Sequence, residues 1–419
     1  MSGISKAAVF KENYGSEDRI MGGMNMRYDF ENLIKRGNAG SFKWDEMKNK
    51  NPNVGEGVVP LSVADMELKN PPEIIEGLKE FLDHNILGYT GPTEAYYDSI
   101  IQWMETRHGF SPKREWIVET AGVVPGLGQM VGAFTGPEDG VLIMTPVYYP
   151  FRMAVENNNR RLVTTELINT GKTYEIDFDD FEAKAREKDV KLLILCSPHN
   201  PVGRVWTGEE LTRIADICLE NGVFIISDEI HFDLILPGYR HVSMGNLEEK
   251  YLNNCVICTA PSKTFNLAGF QTSNHFIPNK KMRNKVTAAR GYHSLNIMGY
   301  KACEIAYTRC GGWLDELLKH LDRNKKYIEN FMAANFPEVT VYDLQGTYLQ
   351  WLDFNALGMN YLELERFMQQ EAQLFLDEGY IFGEGGKGFE RINIACPAWV
   401  IEEAMDRLLK AVIKYRKRR

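Results

Sequence analysis

A chain of 419 residues that is 44% apolar and 25% charged has the make-up of a soluble globular protein, long enough for two domains around substantial cores. Its net charge of −9 sets a repulsive field against phosphate backbones and anionic lipid, which excludes nucleic acid and membrane surfaces as general partners and leaves small molecules. The seven cysteines are scattered, odd in number and mostly set in apolar runs, the pattern of a reducing compartment rather than of a disulfide framework.

The opening stretch MSGISKAAVFKENYGSEDRI is charged throughout and has no apolar centre, and no later run approaches the ~20 apolar residues of a membrane helix, so a cytoplasmic protein is expected. From about residue 117, helix-like segments alternate with short apolar runs: VLIMT (141–145), KLLILC (191–196), GVFIIS (222–227), CVICTA (255–260) and SNHFI (273–277). Short runs without strict alternation suit strands buried on both faces of a largely parallel sheet. Between two of them, Thr207-Gly-Glu-Glu210 is a capping box, and Leu211, Ile214, Ala215 and Cys218 follow at helical spacing, which predicts a crossover helix and a βαβ unit. Cys255-Val-Ile-Cys258 has redox or zinc spacing, but no second such pair accompanies it and the run reads as a buried strand, so no metal is expected.

The last third changes character. Residues 339–354 alternate like antiparallel strands, 361–379 read as a helix, RINIA (391–395) as a strand, and a final helix starts near Ala398, giving a second, α+β domain. Gly383 to Gly388 is glycine-rich but precedes a strand, which marks a turn and not a phosphate loop. The basic end from Lys414 to Arg419 follows a helical pattern, where cations complement the dipole.

Four segments fall at the ends of large-sheet strands, where open α/β sheets gather ligand-binding groups: Ser197 to Gly203, Ser227 to His231, Ala260 to Gly269, and Thr120 to Pro125 at the opening of a helix. Pyridoxal 5'-phosphate chemistry requires a lysine that forms an imine, a carboxylate that keeps the pyridine nitrogen protonated, and a nest of donors for the phosphate. Lys263 is the candidate imine former, Asp228 the partner of the ring nitrogen, and Asn200 a donor to the ring's phenolic oxygen. The helix opening at Gly122 and Val123, with the Ser262 hydroxyl, is the candidate phosphate site.

The motifs SPHNPVG, SDEIH and SKTFNLAG, with TPVYYPF and RINIACP, resemble the fold-type I pyridoxal-phosphate enzymes of the class I/II aminotransferase superfamily over about residues 40–410. The resemblance implies the aspartate aminotransferase fold, an α/β large domain with a mostly parallel seven-stranded sheet plus a smaller α+β domain. It divides the chain into an N-terminal segment (1–60) packing with the small domain, a cofactor-binding domain (61–299) and a C-terminal domain (300–419). It further implies that Lys263 is the Schiff-base lysine and proton shuttle, that Tyr148 stacks on the cofactor ring, and that Arg391 grips the substrate carboxylate. Tyr89 would reach the phosphate of a neighbouring subunit's cofactor, hence a homodimer with shared sites. The lesser alternatives are a packed core aromatic for Tyr148 and a surface strand residue for Arg391.

Two departures from the general pattern stand out: His231 replaces the usual tyrosine three residues after the aspartate, and Gln271 replaces the usual arginine eight residues after the lysine. An imidazole N–H still reaches a ring oxygen, whereas losing the arginine leaves the phosphate to neutral donors. With Lys43-Trp44-Asp45, Ala64-Asp65-Met66 and Tyr348, a candidate substrate residue that strand packing would explain as well, these departures look like the MalY/PatB-type cystathionine β-lyases. The implied reaction is α,β-elimination from cystathionine, cysteine or S-substituted cysteines to pyruvate, ammonia and a thiol. A class I/II aminotransferase is the alternative, since both reactions begin with loss of the Cα proton to Lys263. A regulator using the fold as a binding module would lack Lys263 or Asp228, or carry a basic helix-turn-helix, and the chain has both residues and no such appendage.

Overall fold

The computed structural model describes residues 27–291 and 294–418; the charged opening stretch, and Arg419 of the basic end, lie outside the described residues. Seven strands form the principal sheet: β1 (Ile117–Thr120), β2 (Gly140–Thr145), β3 (Arg161–Glu166), β4 (Val190–Cys196), β5 (Phe224–Asp228), β6 (Cys255–Thr259) and β7 (Ser273–Phe276). Their order is β1-β7-β6-β5-β4-β2-β3. Every neighbour pair from β6 to β3 is parallel, and β7 alone runs against both its neighbours.

The sheet is covered on both faces, which is why its central strands read as unbroken apolar runs. Helix α1 (Val123–Phe134) packs on the face that carries Ile194, Ile226 and Val256, and α2 (Gly208–Asn221) on the face that carries Leu193, Ile225 and Ile257. The capping box on Thr207 and Glu210 starts α2, so β4-α2-β5 is the expected parallel crossover. Cys255 and Cys258 fall in the cores on opposite faces of the sheet and therefore share no ligand position.

A second sheet, entirely antiparallel, has the order β8 (Thr340–Val341), β9 (Leu349–Asp353), β11 (Phe389–Asn393), β10 (Asp377–Glu378). Two long helices accompany it, α3 (Gly311–Asn335) and α5 (Ala398–Arg416), which pack on each other. Arg416 and Arg418 of the basic end pair with Glu338 and Glu371. The helix expected over 361–379 is shorter: α4 (Tyr361–Arg366) runs into a wide π turn at Phe367–Ala372 and stops at Gln373, whose φ of 49° is left-handed. Leu374, Phe375 and Leu376 are all buried, which three consecutive residues on a one-sided helix cannot be, so the chain extends there and delivers Asp377 to β10.

Residues 51–61 lie against this second unit through Asn51 to the Gln369 carbonyl, Gly55 to Gln373 and Leu61 to the Phe375 carbonyl, before the chain turns toward the large sheet. Among the described residues no helix is long and apolar enough to cross a membrane.

Candidate active site

Strand direction gathers the site. β4, β5 and β6 are parallel neighbours, so the turns at their carboxyl ends emerge on one edge of the sheet. Asp228 is the last residue of β5, His231 lies three residues beyond, Asn200 sits in the turn after β4, and Lys263 occupies the single helical turn Pro261–Thr264 after β6. Tyr148 follows β2, and its amide donates to the Asn200 carbonyl at 3.0 Å.

Gly122 caps α1 with φ 102°, a conformation open to glycine. No side chain caps the helix, Pro125 has no N–H, and the first intrahelical bond is Gly126 to the Gly122 carbonyl at 3.2 Å. The amides of Val123 and Val124 at the positive end of the dipole are thus available to an anion. Ser262 is partly buried beside the lysine.

Arg391, on β11, is buried and not a surface residue. Its Nη1 donates to Asn200 Oδ1 at 2.7 Å, while Nε and Nη2 donate to Asp377 Oδ2 at 3.2 and 2.5 Å, and the guanidinium lies 4.7 Å from the centre of the Phe382 ring. The Asn200 oxygen is therefore committed, which leaves its amide nitrogen as the donor toward the pocket.

The charged groups are displaced from their ordinary ranges, mainly by burial. Loss of water pushes the Asp228 carboxyl up to about 7, against the Ile230 N–H, which donates to it at 3.1 Å, and the positive charge of Lys263. Burial pulls the Lys263 amine down to about 8; Arg391 and Lys43 push the same way, and Asp65 and Asp228 oppose them. Burial also holds His231 well below the usual imidazole range, and its Nδ1 is buried without a hydrogen-bond partner.

The Lys263 amine donates to the Ala64 carbonyl at 2.6 Å, and the hydroxyl of the fully buried Tyr348 donates to the same oxygen at 2.8 Å. Tyr348 stands edge-on to His231, ring centres 5.9 Å apart at 78°. Residue 63, just before this carbonyl, is a valine with φ 55°, a conformation that costs a β-branched residue about 1–3 kcal/mol and persists only where neighbours impose it. They do so here: Val63 N–H donates to Asp377 Oδ2 at 3.0 Å, and Asn393 Nδ2 donates to the carbonyls of Val63 and Asp65 at 2.7 and 2.6 Å. Lys43 adds an ion pair to Asp65 at 2.8 Å.

Sequence reasoning missed Ala64, Asp377 and Asn393 as parts of the site. A backbone acceptor leaves no residue signature, and Asp377 was hidden in the segment that reads as helix. Tyr89 is not brought to this pocket: it is fully exposed, on a segment that also exposes Ile86 and Leu87.

A partly buried amine and a buried carboxylate thus stand at adjacent strand ends of this mixed sheet, with an arginine supplied by a second α+β unit. The chain belongs to the aminotransferase class I and II family, whose sequence profile matches residues 56–408. It is 39% identical to cystathionine β-lyase PatB of Bacillus subtilis over 92% of this chain and 100% of that protein. It is similar to the structure of cystalysin from Treponema denticola, which contains pyridoxal 5'-phosphate: TM-score 0.91 and 50% identity, over 93% of this chain and 100% of the other. The pyridoxal-phosphate-bound C-S lyase of Staphylococcus hominis, in complex with L-cycloserine, matches with a TM-score of 0.87 and 30% identity over 93% of this chain and 100% of that one.

Proposed function

We propose that the protein is a pyridoxal-phosphate-dependent carbon-sulfur β-lyase that converts cystathionine, cysteine or S-substituted cysteines to pyruvate, ammonia and a thiol. The observation that carries it is the placement of Lys263, in the turn after β6, next to Asp228 at the end of the neighbouring strand β5, with Arg391 of the second unit bonded to Asn200 in the turn after β4.

The residues fit the cofactor. Asp228 is a buried carboxylate without a hydrogen-bonded cation among the described residues, which suits a protonated ring nitrogen. The Asn200 amide and the unpartnered His231 ring are donors for the phenolic oxygen, Tyr148 is the stacking face, and the α1 amides with Ser262 meet the phosphate. When bound, the cofactor supplies the electron sink that stabilises negative charge at the substrate Cα.

The chain does the rest. Arg391 orients the substrate carboxylate with its planar fork, and Tyr348 closes the wall beside the lysine. Lys263, whose burial draws its pKa down to about 8, takes the Cα proton in its neutral form and then holds it where a departing thiolate can collect it. Amino transfer would use the same first step. Purified enzyme given cystathionine and no keto acid is expected to release pyruvate; keto-acid-dependent amino transfer without pyruvate would overturn the lyase reading.

Arg391→Lys tests the fork. A point charge cannot bind a carboxylate at two oxygens, so KM is expected to rise by about 10–100-fold while kcat falls less. Equal losses in both would place Arg391 in the chemical step instead of in binding.

The exposed Ile86, Leu87 and Tyr89 support a homodimer in which Tyr89 completes the partner's phosphate site. Seven buried free cysteines support a cytoplasmic location. The division into residues 1–60, 61–299 and 300–419 is part of the same proposal.

A further inference from the structure

The Lys263 amine makes one hydrogen bond among the described residues, to the Ala64 carbonyl. That oxygen has two lone pairs, and Tyr348 takes the other. The carbonyl cannot drift toward or away from the amine, because the turn that carries it is fixed from four sides: Asp377 on the Val63 amide, Asn393 on the flanking carbonyls, Asn266 on Met66 and the Ala395 carbonyl on the Glu67 amide. The left-handed Val63 is what this restraint maintains.

We infer that the Ala64 carbonyl is the seat of the Lys263 amine whenever that amine is not covalently engaged, and that Tyr348 is a positioning residue that shares the seat and so governs when the amine is free of its proton. The inference rests on the reading of Lys263 as the reacting amine. It moves Tyr348 from contact with substrate to action through a backbone oxygen.

The direction follows from charge. A carbonyl that already accepts one hydrogen has less electron density for a second, so the hydroxyl weakens the hold of Ala64 on the protonated amine. The other charged or titratable groups facing Lys263 are Asp65 and Lys43 from the N-terminal side, Asp228 at the end of β5 with the neutral His231 beyond it, and Arg391 from β11; Tyr348→Phe leaves all of them in place. Removing the hydroxyl while keeping the ring therefore strengthens the remaining bond, and the amine should keep its proton to higher pH.

The test uses full-length protein stripped of cofactor, with restored pyridoxal 5'-phosphate binding as the check on folding. The rate at which an amine-reactive reagent labels Lys263, read by peptide mass, is followed against pH. Wild type is expected to titrate near 8, and Tyr348→Phe about half to one pH unit higher. An unchanged midpoint in a variant that still binds cofactor would overturn the inference, since a packing role would not move it.

If Tyr348→Phe does not fold, Asn393→Ala decides: it removes the donor to the Val63 and Asp65 carbonyls, the seat loosens, and the labelling midpoint is expected to fall by about half a pH unit. An unchanged midpoint in a variant that binds cofactor would overturn the inference. Absence of pyruvate from cystathionine, alongside a shifted labelling midpoint, would remove the proposed reaction and leave the seat standing.

Discussion

Lys263→Ala is expected to lose turnover by at least about 10³-fold and, with it, all covalent retention of pyridoxal 5'-phosphate after borohydride reduction. Lys43, the buried ammonium on this side, does not replace it, because it is held by Asp65 and Glu67 at 2.8 and 2.9 Å. The fold should survive, because alanine leaves the Ala64 carbonyl still bonded to Tyr348. Folding itself favours the neutral amine here, since the Lys263 pKa falls from 10.5 unfolded to about 8 folded. The stability of wild-type, cofactor-free protein relative to the alanine variant should therefore rise as pH goes from 8 to 10.5. Turnover within tenfold of wild type, or cofactor fixed at another residue, would end the assignment.

Asp228→Asn is expected to slow turnover by about 10²–10³-fold while leaving substrate affinity nearly intact, because the amide no longer favours a proton on the ring nitrogen. Its effect on stability runs the other way. The folded chain raises the Asp228 pKa from 3.8 to about 7, so wild type without cofactor carries a penalty that grows from pH 4 to 7 and remains above it. Its full size is on the order of 4 kcal/mol. Asparagine keeps an acceptor for the Ile230 N–H and has no charge to bury. The cofactor-free variant should thus be more stable than wild type at pH 7.5, with the gap closing toward pH 4, and saturation with cofactor should narrow or reverse it. Wild-type turnover in this variant would refute the pairing of Asp228 with the ring.

The central strands could be read from residues because burial on both faces turns β2, β4, β5 and β6 into apolar runs, whereas β7, equally buried, reads Ser-Asn-His-Phe. The edges could not. β3 alternates exposed and buried positions in RLVTTE, and β1, with a buried glutamate, is four residues long. Lys263, Asp228 and Asn200 stood out since strand-end chemistry demands those side chains in that order. Arg391 drew attention only through resemblance; its burial and its bond to Asn200 depend on how two units of the fold meet. The helix that ends at Ala372 shows the limit of periodicity, for the two residues of β10 owe their conformation to pairing with Glu390 and Arg391 and not to local preference.

Asp377, placed by that early ending, spends one oxygen on two tasks: Oδ2 holds the amide of Val63 and the guanidinium of Arg391 together. Under the proposed function, the guanidinium that would meet an incoming carboxylate and the turn that seats the Lys263 amine are therefore joined at one atom, with no element of the large sheet between them.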